Sequence, residues 1–349
     1  MAVTFAPYDL NLLAISAVLP PQHVTNQQLI SALETLCGKS AARKASIIAK
    51  RLGIKERHLV RDLAKPLSEC LTSSIDMSLT ALNDALTQSN TPVESLSYLL
   101  SHTCTPHTQV PPNAAWVADQ IGLISPYLEL RQACTGFANA LQIASAFSAT
   151  DSRPIAIVGC ETGSVYFDIN EQFITTSQMV NYMQMGDGCG AVIVQTATDP
   201  RQLISDIYIG QIGHNKQPGF YLDGGSNTVG TGNMARFHHN TQAVKDNGEQ
   251  LFELGLKAVL SRGYQLDDFR YILPHQANGH IDLMMAKKLD VHPDRIVNDA
   301  QVLGNLGSAA IWVSLARLVN SKKLNTGDKV LVLGAEATKY LYGGFVYTH

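Results

Sequence analysis

The chain has 349 residues, 45% hydrophobic and 16% charged, enough to bury a large core as one extended α/β unit or two domains. A net charge of -3 gives no global electrostatic reason to expect nucleic acid or an anionic membrane as a partner. Six cysteines without a CxxC pair argue against a disulfide framework and for a reducing, cytoplasmic setting.

The opening stretch, MAVTFAPYDLNLLAISAVLP, lacks a basic start, and Asp9 and Asn11 break its apolar run. It reads as a first strand rather than a signal peptide. No uninterrupted apolar run approaches the roughly 20 residues of a membrane span. Further along, the strand Tyr98-Leu-Leu-Ser-His102 ends in a histidine, and Tyr271-Ile-Leu-Pro-His275 matches it in the second half. About thirty residues beyond each histidine a Gly- and Ala-rich helix begins, at Cys134-Thr-Gly-Phe-Ala-Asn-Ala and at Asn305-Leu-Gly-Ser-Ala-Ala. Each half then has a β-branched strand ending in Gly-x-Glu, Ile155-Ala-Ile-Val-Gly-Cys-Glu161 and Val330-Leu-Val-Leu-Gly-Ala-Glu336.

Three matches in register predict a duplicated core of two pseudo-symmetric halves, residues 1–196 and 197–349. The join falls where Gln195-Thr-Ala-Thr-Asp-Pro-Arg201 interrupts the apolar pattern. Alternating strands and helices imply a largely parallel, buried sheet with helices against it. The repeat also places Cys134 and Asn305 at equivalent helix starts, facing a shared cleft.

A cysteine at a helix N-terminus sits in positive potential that favours the thiolate, and its own N–H can serve an acyl oxyanion. The bland alternative is a buried small hydrophobe, the reading kept for Cys37, Cys70, Cys104, Cys160 and Cys189. His275 alone reads as a hydrogen-bonded strand-end histidine. The following Gln276 and Asn278 are polar neighbours able to set its tautomer. Asn305 alone reads as an N-cap. Together, the three form a far more specific set.

On these pieces the chain resembles the thiolase-fold condensing enzymes, in the beta-ketoacyl-acyl carrier protein synthase III-like branch. The matching segments are Leu52-Gly-Ile-Lys-Glu-Arg-His58, Ala133-Cys-Thr-Gly-Phe137, Met185-Gly-Asp-Gly-Cys-Gly190, Pro274-His-Gln-Ala-Asn278, Gly304-Asn305 and Gly343-Gly-Phe345, in family order across essentially the whole chain. The resemblance implies a layered α-β-α-β-α thiolase-like fold and a homodimer. It also implies that Cys134 takes an acyl group from a thioester, with the N–H groups of Cys134 and Gly343 as oxyanion hole. His275 and Asn305 would then stabilise the enolate of a malonyl-type extender. Coenzyme A or phosphopantetheine thioesters, on an acyl carrier protein in the latter case, would be substrates. No metal or redox cofactor is required.

Two departures stand out. No tryptophan lies near Leu52-Gly-Ile54 to stack on the adenine of coenzyme A, and Gly279-His280 replaces the arginine expected after the His-Gln-Ala-Asn motif. Lys39, Arg43, Lys44, Lys50, Arg51, Lys55, Arg57 and Arg61 enclose one acid, Glu56. They form either a solvated face or an entry for a phosphopantetheine arm or an acidic carrier, with Arg51 the best single substrate-binding candidate and Asn278 a second. Gln109 and Val110, where a partner subunit would lend a gate to the acyl pocket, imply a smaller gate and a longer or branched acyl group. The Gly186-Asp-Gly-x-Gly190 run lacks a GK[ST] ending and reads as a structural turn, not a phosphate loop. A rival outcome on the same fold is acyl transfer to an oxygen or nitrogen nucleophile. A cysteine protease fits poorly, because Thr135 follows Gln132-Ala-Cys134 and no papain-like context surrounds it. Metal sites at Cys104-x-x-His107 or His238-His239 lack a second ligand pair.

Overall fold

A computed structural model describes residues 3–63, 72–167, 169–171, 174–226, 228 and 235–349; Cys70 lies outside them. The chain opens with β1 (Val3–Phe5), β2 (Leu10–Val18), β3 (Gln22–Thr25), α1 (Asn26–Leu52) and β4 (Glu56–Leu59). Then come α2 (Ser74–Ser89), β5 (Tyr98–His102), α3 (Asn113–Ile121), β6 (Tyr127–Leu130), α4 (Gly136–Phe147), β7 (Ile155–Glu161), α5 (Thr176–Gln184) and β8 (Gly188–Thr196). The second half runs β9 (Leu203–Gln211), β10 (Phe220–Leu222), β11 (Phe237–His239), α6 (Thr241–Leu260), β12 (Phe269–Pro274) and α7 (Ile281–Leu289). It ends with α8 (Ala300–Leu303), α9 (Ala310–Asn320), β13 (Lys329–Glu336) and β14 (Leu341–Thr348).

The two halves repeat one pattern of pairing. β5 pairs parallel with β7, β7 antiparallel with β8, and β8 antiparallel with β2. In the same way β12 pairs parallel with β13, β13 antiparallel with β14, and β14 antiparallel with β9. β6 flanks β5, and its place beside β12 is taken by a single parallel bridge from Ile272 to Ile296. β2 and β9 join the halves at Leu10↔Ile204 and Asn11↔Leu203, making one ten-stranded sheet of the described residues.

Burial explains the layering. β7 is buried at every residue, so it needs cover on both faces, as a central parallel strand does. α2 covers one side of β2, β7 and β8, and α6 one side of β13 and β14. Between the sheet halves lie α4, which touches β5, β7, β9 and β14, and α9, which touches β2, β8 and β12. Phe137, Ala138, Leu141 and Ala144 of α4 share one core with Ile311, Trp312 and Leu315 of α9. Small residues on α4 allow close approach, and Trp312 fills the centre. The result is the α-β-α-β-α order, with the starts of two central helices brought to one place.

Asp187 holds the Gly-Asp-Gly turn together, accepting from the N–H of Val60 (2.9 Å), the N–H of Ser164 (3.1 Å) and the Ser164 hydroxyl (2.5 Å). Burial pushes its carboxyl up to about 6 despite these donors. The run is a structural turn that fixes the entry to β8. Among the described residues no helix is long and apolar enough to cross a membrane.

Candidate active site

Cys134 lies just before α4, with Thr135 as N-cap. The turn is shaped by the Gly136 N–H donating to the Ala133 carbonyl at 3.0 Å. The Cys134 N–H makes no bond to another backbone group among the described residues; it faces its own sulfur, a helix-start donor beside the thiol. The expected thiolate preference is reversed. Cys134 keeps some solvent exposure, but dense packing pushes its thiol well up, and the carboxylates of Glu336 and Glu161 add to the effect. Two nearby anions and desolvation outweigh the N-terminal potential of one twelve-residue helix.

His275 follows β12, and its N–H donates to the Leu333 carbonyl of β13 at 2.7 Å. It is 5% exposed, and burial lowers it to about 4, so the imidazole is neutral at physiological pH. Its Nδ1 has no partner among the described residues. The polar neighbours do not set the tautomer as expected. Gln276 accepts from the N–H groups of Asp299 (2.5 Å) and Ala300 (2.9 Å) and donates to Ser314 (3.1 Å). Asn278 accepts from the His280 N–H at 2.7 Å. Both side chains are occupied in shaping the turn after His275.

Asn305 forms a short parallel bridge with Met185. Its N–H donates to the Gln184 carbonyl at 2.8 Å, and its carbonyl accepts from the Gly186 N–H at 3.1 Å. The side-chain Oδ1 accepts from the Gly307 N–H at 3.0 Å, which fixes the amide and leaves Nδ2 as its unpaired donor end among the described residues. Gln184, not singled out in the sequence, ties two of the candidates together. Its carbonyl holds Asn305, and its Nε2 donates to the Ala277 carbonyl at 2.6 Å in the turn after His275. Ser308 closes the ring by contact, its Oγ lying 3.2 Å from the Gln132 carbonyl, two residues before Cys134.

The pairing across the repeat differs from the sequence alignment by two residues. Thr135 and Ser308 receive matching carboxylate caps, from Glu336 and Glu161, so Cys134 corresponds to Gly307 rather than to Asn305. Gly343 sits in β14 opposite Gly334 of β13 and Ile209 of β9. A Cβ there would lie 2.7 Å from that of Ala138, so its bareness lets β14 close on the first turn of α4.

Arg51 is exposed near the end of α1, and the Gly279 N–H donates to the carbonyl of its neighbour Leu52 at 2.8 Å. The end of α1 therefore abuts the turn after His275. Neither tryptophan is a stacking platform: Trp116 donates to Thr108 at 3.0 Å, and Trp312 is fully buried. No group of three or more His, Cys, Asp or Glu among the described residues is placed to hold a metal.

A duplicated sheet around two central helices, with Cys, His and Asn carried at neighbouring turns, defines a thiolase-fold condensing enzyme. Residues 128–213 match the family model for 3-oxoacyl-[acyl-carrier-protein] synthase III, and residues 260–347 match the model for its C-terminal part. A beta-ketoacyl-[acyl-carrier-protein] synthase III of Clostridium novyi is 26% identical over 343 residues, covering 94% of this chain and 95% of the relative. The tetronic acid condensing enzyme AbyA1 superposes with a TM-score of 0.84 at 22% identity, covering 97% of this chain and 100% of that one. The FabH synthase III of Pseudomonas aeruginosa PAO1 does so with 0.80 at 23%, covering 97% and 98%. This chain belongs to the 3-oxoacyl-acyl carrier protein synthase III-like enzymes of the thiolase fold.

Proposed function

We propose that the enzyme makes a β-ketoacyl thioester by decarboxylative condensation, in fatty-acid initiation or specialised-metabolite assembly. The observation that carries this reading is the ring of contacts joining the Cys134 turn to a neutral His275 and an oriented Asn305 amide. Cys134 attacks an acyl thioester; a new acyl–sulfur bond forms, the donor's carbon–sulfur bond breaks, and the thiol proton leaves with the departing thiol. The N–H groups of Cys134 and Gly343 receive the oxyanion. The malonyl carbon–carbon bond then breaks with loss of carbon dioxide. His275 and Asn305 donate to the thioester oxygen as it becomes an enolate. The enolate carbon attacks the acyl group, and Cys134 is released and regains a proton. Two neutral donors suit this step, since the charge develops on oxygen. No metal or redox cofactor enters it.

The donor arrives as a coenzyme A thioester or on an acyl carrier protein. Exposed Arg43, Lys44, Lys50, Arg51 and Lys55 near the end of α1, beside exposed Leu283 and Met284 of α7, offer an acidic carrier both charge and apolar contact. Asn278 shapes the entrance for the phosphopantetheine arm, with Arg51 at the rim. A homodimer forms through β6, an edge strand bonded only to β5 among the described residues. Tyr127 and Leu128 on it are exposed, as are Val110 (85%) and Ile124 (90%) nearby. The partner's Val110 loop then gates the acyl pocket, and its small side chain admits longer or branched chains. Free thiols at Cys37, Cys104, Cys134, Cys160 and Cys189 suit a reducing cytoplasm.

Intact-protein mass spectrometry with acetyl-, hexanoyl- and decanoyl-CoA and matching carrier-bound donors tests the reading. One acyl group is expected on the wild type and none on Cys134→Ala, with a β-ketoacyl product only when a malonyl donor is added. Acylation that persists in Cys134→Ala, or an acyl ester or amide without condensation, overturns it.

A further inference from the structure

The two Gly-x-Glu strand ends do something that neither the trio nor the family match assigns. At the end of β13, Glu336 Oε2 accepts from the Thr135 N–H (3.0 Å) and hydroxyl (2.8 Å), and Oε1 accepts from the Thr338 hydroxyl. At the end of β7, Glu161 Oε2 accepts from the Ser308 N–H (3.0 Å) and hydroxyl (2.7 Å), and Oε1 from the Thr105 hydroxyl (2.5 Å). Both residues are 2% exposed. The arrangement is crossed. A carboxylate from the second half caps the helix start in the first half, and a carboxylate from the first half caps the helix start in the second.

Resting on the proposed roles of Cys134 and Asn305, we infer that Glu336 and Glu161 are positioning residues with separate duties: Glu336 sets the turn that presents Cys134, and Glu161 sets the Asn305 amide.

Each path is short. Glu336 grips Thr135, the next residue after Cys134, by both N–H and hydroxyl. Glu161 grips Ser308, whose neighbour Gly307 donates to Asn305 Oδ1 at 3.0 Å. A Cβ on Gly307 would lie 2.6 Å from Glu161 Oε2, so a glycine there is what lets the carboxylate reach Ser308. A buried carboxylate is costly unless its lone pairs are filled, and each of these carries at least three donors. Neither serves to activate the thiol, because an anion beside Cys134 opposes thiolate formation. What remains for them to supply is geometry. The crossing means that the nucleophile turn is registered against the second half's sheet and the donor amide against the first half's.

The test separates the two half-reactions in the full-length protein. Acyl loading is followed by rapid-quench intact mass with hexanoyl-CoA, and carbon dioxide release is followed from malonyl-CoA on protein without an acyl donor. Glu336→Gln is expected to slow loading about tenfold or more while carbon dioxide release stays within about twofold of wild type. Glu161→Gln is expected to do the reverse. Thr135→Val and Ser308→Ala, which keep both carboxylates and lose one hydroxyl donor each, should show the same division at about threefold, and they carry the test if a Gln variant does not fold. Equal loss of both half-reactions in folded variants, or no loss in either, overturns the proposal. Wild-type protein that no donor acylates at Cys134 overturns the underlying functional reading instead, so the two failures are distinguishable.

Discussion

The His102 imidazole lies beneath the start of α4 and accepts a hydrogen bond at Nε2 from the indole N–H of Trp312 in α9, at 2.9 Å. His102 is the repeat counterpart of His275: His102 ends β5 opposite Gly159 of β7, and His275 comes just after β12, whose Pro274 pairs with Leu333 of β13. The duplication has kept both histidines and given them different work. His102 is fully buried and lowered to about 3, a neutral acceptor that joins the two central helices. Replacement by leucine leaves the Trp312 N–H without a partner and changes packing under Gly136. We expect a loss of about 2–4 kcal/mol, read as a lower urea midpoint, with His275→Leu costing less.

His275 should show its environment in the pH profile. Burial holds it near 4, below the ordinary 6.5, so the neutral donor persists through mildly acid pH. Carbon dioxide release from malonyl-CoA should therefore show no titration near 6.5, and an acid limb should appear only as pH approaches 4. The same sign governs its effect on stability. The unfolded imidazole takes up a proton first, so the contribution is present above pH 6.5 and is lost as pH falls towards 4. A rate that halves near 6.5 would contradict this.

Cys134 should alkylate slowly at neutral pH. Burial and the carboxylates of Glu336 and Glu161 raise its thiol, while Cys104 stands nearby, Arg131 lies three residues before it, and His275 is neutral. Iodoacetamide labelling followed by peptide mass spectrometry should rise with pH beyond 9. Glu336→Gln should move that rise to lower pH, because it deletes the larger of the two opposing charges.

Removing donors should split the reaction. Asn305→Ala and His275→Ala are each expected to lower carbon dioxide release about 100-fold or more while Cys134 is still acylated. Gly343→Ala should instead impair loading, since its Cβ would meet Ala138 at 2.7 Å, Ile209 at 2.8 Å and the Tyr208 carbonyl at 3.0 Å and push β14 from α4. Quench-flow loading and product analysis on the same preparations check both.

Much of this molecule was legible in one dimension. Period, turn residues and repeated strand ends are local properties, so the α/β class and the repeated strand–helix pattern could be read from residue order, and Cys134, His275 and Asn305 could be singled out as candidates. The Gly-x-Glu repeat even marked Glu161 and Glu336. What residue order could not supply was who meets whom. Cross-half contacts such as Glu336 with Thr135 link residues 201 apart, and no local pattern encodes them. Electrostatics is equally non-local: a helix start predicts a lowered thiol, but burial and two carboxylates delivered by other strands reverse the sign. The turn after His275 shows the same limit, because Gln276 and Asn278 look like histidine partners in sequence, yet the fold commits them to backbone groups elsewhere. The sequence determined the chemistry available, and the tertiary structure decided its register, because hydrogen bonds and fields depend on distance in space and not along the chain.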